Sequence, residues 1–278
     1  MALIEKLENI GDAIRSKTGK TDLLTLDEMA TEISNIETGG GSGGDIDWSV
    51  IGYDSTPQSI LNGYNYAKEI QDNWDNSIEN LSSKFSGDIK LIIMPLVDTS
   101  NVKNFRSFYY DCSKLLETPK INTSKGTDFN SMYYRCTGLE SIPQLDTSNG
   151  ENLSSMFTYS SNLIMIPLFD TSKCNKISSI FTYCNKITTL GGFLNLGKAY
   201  NKTSSNYSYY TLDISMASML TRESLINVIE KVYDLNLTYN VANGGTLYTQ
   251  QLKLGSTNLA KLTAEEITIA TSKGWSVS

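Results

Sequence analysis

The stretch Ile142-Pro-Gln-Leu-Asp-Thr-Ser148, followed by Met156-Phe157 and Leu163, decides the fold. The same pattern recurs on both sides of it. Asp98-Thr-Ser100, Asn122-Thr-Ser124, Asp146-Thr-Ser148 and Asp170-Thr-Ser172 lie 24 residues apart. Pro95, Pro119, Pro143 and Pro167 stand three residues before each triplet. Phe105, Phe129, Leu153 and Ile177 follow it, then Phe108, Met132, Met156 and Ile180, then Tyr109, Tyr133, Phe157 and Phe181. Leu115, Leu139, Leu163 and Ile187 complete the register. A fixed period of this length is the signature of a solenoid, in which one unit cannot bury its apolar face without neighbours.

Within one unit, Leu115 to Ile121 reads as a short strand. Asp-Thr-Ser reads as a turn, because Asp and Ser side chains bond nearby backbone N–H groups. Val102, Phe105, Phe108 and Tyr109 have the spacing of one helix face, so a short helix is expected over Asn101 to Tyr109. The expected fold class is therefore α/β: a leucine-rich-repeat-like solenoid of 24-residue coils, each a short strand plus a short helix. The repeats cover residues 81–197.

Both ends read as caps. Residues 46–80 form a helical N-terminal cap opened by Thr56-Pro57, with Ile60, Leu61, Tyr64, Ala67, Ile70 and Trp74 on one side. Leu190-Gly-Gly-Phe-Leu194 falls where the next Pro and triplet would stand and reads as the closing strand. Residues 198–278 form an α+β C-terminal cap. In it Thr221 starts a helix that buries Leu225, Val228, Ile229, Val232 and Leu235. Asn243-Gly-Gly245 signals a hairpin turn, Thr263-Ala-Glu-Glu266 is a capping box, and Gly274 ends the last helix.

Residues 1–37 form a separate helical unit. Leu3, Leu7, Ile10 and Ile14 make a heptad seam. Thr25-Leu-Asp-Glu28 is a capping box ahead of Met29 and Ile33. Two short helices make too small a core to stand alone, so this unit is expected to anchor the chain or join it to copies of itself as a homo-oligomer. Residues 38–45 form a Gly-rich linker.

Composition narrows the function. The formal net charge is −7, histidine is absent, and charged residues make up 19%. No basic cluster suggests nucleic acid or an anionic membrane, and no apolar run is long enough for a membrane span. Without histidine there is no Ser–His or Cys–His nucleophile pair. No catalytic residue, cofactor or metal is expected. Cys112, Cys136 and Cys184 share one repeat position, with Ser160 in the same place, and read as small buried fillers rather than metal ligands. The row Asp98, Asn122, Asp146 and Asp170 could be drawn as a calcium ladder, but turn chemistry accounts for it. Gly19-Lys20-Thr21 lacks the first Gly of a phosphate loop, since position 14 is Ile.

Tyrosine carries the binding signal. Of 16 tyrosines, Tyr110, Tyr134, Tyr159 and Tyr183 fall just after the core aromatic of successive coils, toward solvent. Such a stripe can contact a glycan or a protein, because Tyr offers area and a hydroxyl at low entropic cost. Contact with a neighbouring subunit or ordinary half-burial would use the same residues.

The repeat pattern of residues 81–196 resembles the short leucine-rich repeats of bacterial surface proteins. Ile10-Gly-Asp-Ala-Ile-Arg-Ser-Lys-Thr-Gly19 with Met29-Ala-Thr-Glu-Ile33 resembles the leader of minor structural proteins of phages infecting Gram-positive bacteria. Leu254-Gly-Ser-Thr-Asn-Leu-Ala-Lys-Leu262 to Lys273-Gly-Trp275 is similar to the end of phage and prophage repeat proteins. The resemblance implies a virion component made in the host cytoplasm: a tail or baseplate fibre, bound to other virion proteins through residues 1–37 and reaching a host glycan or protein. A capsid-attached fibre or decoration protein fits the same build. A bacterial adhesin fits less well, because no signal peptide is visible.

Overall fold

The computed structural model describes residues 57–198, 211–236 and 250–278. The expected anchor residues Leu3, Leu7, Ile10, Ile14, Met29 and Ile33, the Gly-rich linker, the Asn243-Gly-Gly245 turn and the side chains of Ile60, Leu61 and Tyr64 lie outside the described residues.

The fold is mixed α/β. Helix α1 (Pro57–Asp72) leads into a stack of 24-residue coils. Isolated parallel bridges join Asn80 to Asn104, Asn104 to Asp128, Asp128 to Asn152 and Asn152 to Lys176. A second line of pairing joins Ile93 to Glu117 and Ser141 to Met165, and then widens into two-residue strands. In it β1 (Met165–Ile166) pairs in parallel with β3 (Thr189–Leu190), and β2 (Phe169–Asp170) with β4 (Phe193–Leu194). The expected closing strand at residues 190–194 is thus present, split in two around Gly191-Gly192.

The expected short helix is not. Among the described residues, none between Asp72 and Arg222 is helical. Asn101 to Tyr109 and its equivalents form a chain of tight turns instead. Backbone N–H groups alternate between two uses. Phe108, Tyr110 and Cys112 bond three residues back, to Phe105, Ser107 and Tyr109, whereas Phe105, Ser107, Tyr109 and Asp111 bond into the next coil, to Asp128, Asn130, Met132 and Tyr134. A helix would keep all these donors to itself; here half of them tie neighbouring coils together. The geometry requires a left-handed residue twice per coil, at Ser107 (φ 53) and Asp111 (φ 58), Ser131 and Arg135, Ser155 and Tyr159, and Ser179 and Tyr183. The inward pattern survives because the turns also aim residues 102, 105, 108 and 109 at the core, and all four are fully buried.

The core is one continuous cluster through the stack and the C-terminal unit. Leu115, Leu139, Leu163 and Ile187 are each fully buried, as the register predicts. Phe105 stacks on Phe129, and Tyr109, Tyr133, Phe157 and Phe181 stack in turn with centroid spacings of 5.3, 5.6 and 5.7 Å. α1 closes the top of the stack. Its Ala67 is buried, and its Ile70, with Trp74 just past its end, packs on the core. The Trp74 indole N–H donates to the Asp98 carbonyl at 2.8 Å.

The C-terminal unit has a three-stranded parallel sheet of β5 (Thr211–Asp213), β6 (Gln250–Lys253) and β7 (Trp275–Val277). Helix α2 (Arg222–Lys231) starts at Thr221, whose side chain accepts from the Ser224 N–H. α3 (Ser256–Leu259) and α4 (Ala264–Ser272) follow, and α4 carries the full Thr263/Glu266 capping box. Leu225, Val228, Ile229, Val232 and Leu235 are buried as expected, though the helix stops at Lys231. Leu196 bridges Val232, which couples the stack to this unit.

Candidate binding surface

The Asp-Thr-Ser edge is occupied with itself. Each Asp or Asn Oδ1 accepts from the N–H of the Ser two residues on, as at Asp98, Asn122, Asp146 and Asp170. The Ser hydroxyl adds a second bond, 2.6 Å in the case of Ser148 to Asp146. These bonds, hydroxyl first and then backbone N–H, hold the Asp146 carboxyl below its ordinary value. The buried Thr between them donates to the next coil: Thr99 to Asn122, Thr123 to Asp146, Thr147 to Asp170 and Thr171 to Leu194, at 2.8–2.9 Å. The triplet is thus a turn and a coil-to-coil tie, not the cap of a helical turn. No cluster of three metal-ligating side chains occurs among the described residues.

The cysteine position is similarly consumed. Cys112, Cys136 and Cys184 are buried free thiols. Each donates to a carbonyl 27 residues back: Phe85 at 2.9 Å, Tyr109 at 3.0 Å and Phe157 at 2.8 Å. Ser160 makes the same bond to Tyr133 with its hydroxyl. Burial pushes the Cys112 and Cys184 thiols up to about 12 and Cys136 well above its ordinary value, which removes the thiolate a nucleophile or ligand would need.

A shallow cleft of about 330 Å³ lies between α1 and the first coil, lined by Tyr66, Glu69, Ile70, Asn73, Trp74, Lys84 and Phe85. Tyr66, Trp74 and Lys84 are engaged in the joint. Tyr66 donates to Asp88 at 2.6 Å, a bond that pushes the phenol up to about 12. Lys84 sits 5.3 Å over the Trp74 ring.

The tyrosine stripe differs from all of these. The structure brings Tyr110, Tyr134, Tyr159 and Tyr183 into one unbroken row. Tyr110 and Tyr134 stack at 4.6 Å with planes 3° apart. Tyr134 meets Tyr159 edge-on at 5.6 Å and 67°. Tyr159 and Tyr183 stack again at 4.6 Å and 12°. Exposure rises along the row, to 41% at Tyr159 and 46% at Tyr183. Desolvation, and then neighbouring Tyr110, push the Tyr134 phenol above its ordinary value.

The row changes backbone position halfway. Tyr110 and Tyr134 precede the left-handed site, while Tyr159 (φ 65) and Tyr183 (φ 62) occupy it. A bulky side chain is disfavoured in that conformation, and the equivalent positions in the other coils hold Gly87, Asp111 and Arg135. The switch keeps the rings in register while Thr158 and Thr182 take the preceding position. Sequence reading placed the four tyrosines toward solvent but did not find the backbone cost. It also missed the extension: the Tyr183 N–H faces the Met216 sulfur at 3.5 Å, and Met216 and Met219 are exposed. Those methionines stand outside the repeat register, so no period could have marked them.

Residues 58–164 match a family described as "Mycoplasma protein of unknown function, DUF285". No curated protein matches the chain. Among solved structures, a leucine-rich repeat protein of T. pallidum is similar at 12% identity, over 71% of this chain and 77% of that one, with a TM-score of 0.42.

Proposed function

We propose that this chain is a non-enzymatic structural and binding protein. In this reading its coils form a leucine-rich-repeat-like solenoid, a rigid rod that displays the tyrosine row to a partner. The observation that carries the reading is the continuity of Tyr110, Tyr134, Tyr159 and Tyr183, maintained through a change of backbone position that places two tyrosines in a disfavoured conformation. The other repeated polar groups, at the Asp-Thr-Ser edge and the cysteine position, are spent on holding coils together.

The leader-like residues 1–37 and the end at residues 254–275 support a virion setting, a tail or baseplate fibre attached through the leader. The same build serves a head fibre. The resemblance of the repeats to those of bacterial surface proteins, together with the match of residues 58–164 to a family of Mycoplasma proteins of unknown function, supports a second reading, a bacterial surface adhesin. Gold-labelled antibody against the repeat body, applied to purified particles and to whole cells, separates these. Label at the tail tip supports the fibre reading, label on the head moves the protein to the capsid, and label confined to cell surfaces overturns the virion setting.

A further inference from the structure

We propose that the tyrosine row takes an uncharged carbohydrate chain laid along the axis of the stack. This rests on the row being the binding surface, as proposed above, and adds the chemistry of its partner.

The surroundings of the row are close to neutral. Asn152 to Phe169 contains no charged residue, and neither do residues 177–185; these stretches carry Tyr159 and Tyr183. Beside Tyr110 and Tyr134, Asp111 and Arg135 lie 3.5 Å apart and neutralise each other. Lys186, at the far end, is held by Asn162 at 2.8 Å. An anionic polymer meets no row of cations here and approaches a chain of net charge −7. A cationic partner meets no row of carboxylates. The complementary partner is neutral.

The row also offers hydroxyls. The hydroxyls of Ser155, Tyr159, Ser179 and Tyr183 make no hydrogen bond among the described residues, in contrast to the saturated Asp-Thr-Ser edge. Rings stacked at 4.6 Å cover each other's faces within the Tyr110–Tyr134 and Tyr159–Tyr183 pairs, so each pair offers mainly ring edges and hydroxyls. Ring edges carry partial positive charge and phenols donate, which suits a polyol rich in acceptor oxygens. The row is also periodic. The tyrosine rings recur once per coil, with centroids 4.6, 5.6 and 4.6 Å apart, a step comparable to one sugar unit of an extended chain. A linear polysaccharide meets a tyrosine at every coil from Tyr110 to Tyr183, whereas a protein surface without repeats offers no matching period.

The test uses the full chain and its double variant Tyr159→Asn, Tyr183→Asn, since Asn tolerates the left-handed backbone. Retention is measured on immobilised dextran, amylose, linear β-glucan and galactan, with hyaluronate as the anionic control. The expected result is retention on at least one neutral polymer, unchanged from low to near-molar salt, and weakened by about tenfold or more in the double variant at an unaltered melting temperature. Retention on none of the neutral polymers, retention equal in the variant, or retention on hyaluronate alone that salt abolishes overturns the proposal. Binding to intact bacteria separates this failure from that of the underlying reading. Tyrosine-dependent binding that survives periodate but not protease means a protein partner on the same row. Binding equal in chain and variant removes the row itself.

Discussion

The thiol of Cys136 donates to the carbonyl of Tyr109 in the preceding coil at 3.0 Å. One coil on, Ser160 makes the same bond to Tyr133. The position therefore requires a small donor rather than a thiol as such. Cys136→Ser is expected to cost well under about 1 kcal/mol, whereas Cys136→Val removes one of the two bonds on the Tyr109 carbonyl, which keeps that from the Cys112 N–H, and costs about 0.5–1.5 kcal/mol. Urea denaturation of the two variants checks the contrast.

The raised thiols set a pH dependence. Cys112 and Cys184 ionise near 12 when folded, against 9.0 for the free group. Above pH 9 the unfolded chain loses these protons while the folded chain keeps them. Their contribution is therefore intact below pH 9 and is lost progressively as the pH rises toward 12. Buried Tyr109 and Tyr133, whose phenols burial also raises, act in the same direction. Melting temperature should fall steadily across that window. A thiol reagent at pH 8 should label none of these buried cysteines until denaturant is added.

The Tyr109 hydroxyl is buried with no hydrogen-bond partner among the described residues. Phe157 and Phe181 occupy the same position in later coils. Tyr109→Phe is expected to raise stability by about 1 kcal/mol, read as a higher denaturation midpoint at unchanged slope.

Leu139 sits fully buried in the column it shares with Leu115, Leu163 and Ile187. Leu139→Asp places an unpaired charge there, at a cost of several kcal/mol (about 3–5). The far-ultraviolet dichroism of the stack should collapse at temperatures where the wild-type chain is folded.

The register of the coils was legible because a 24-residue spacing ties each inward side chain to one turn of the chain. Leu139, Phe157 and the Thr263 capping box could all be placed from it or from local chemistry. The helix expected over Asn101 to Tyr109 was wrong for a physical reason. Spacing by three and four residues is common to a helix and to this run of left-handed turns, and only the inter-coil hydrogen bonds of Phe105, Ser107 and Tyr109 decide between them. Those bonds link residues about 23 positions apart, beyond any local signal. The row at Tyr159 and Tyr183 was visible in outline, but its shift into a left-handed backbone was not.

Residues 1–37 are the proposed attachment unit. Deleting residues 1–44 should leave a folded monomer by light scattering that no longer enters particles. Normal copy number in the truncated form would place attachment at the C-terminal unit.

The most direct measurement of the central claim compares retention of the full chain on intact host cells with that of two variants. The first carries Tyr110→Ser, Tyr134→Ser, Tyr159→Asn and Tyr183→Asn. The second carries Lys125→Ser and Lys173→Ser, which remove exposed contacts to Asn101 and Asn149 elsewhere on the coils. The first variant, at a melting temperature showing it is folded, is expected to lose retention while the second matches the wild-type chain. Retention of the tyrosine variant at the wild-type level would contradict the central claim.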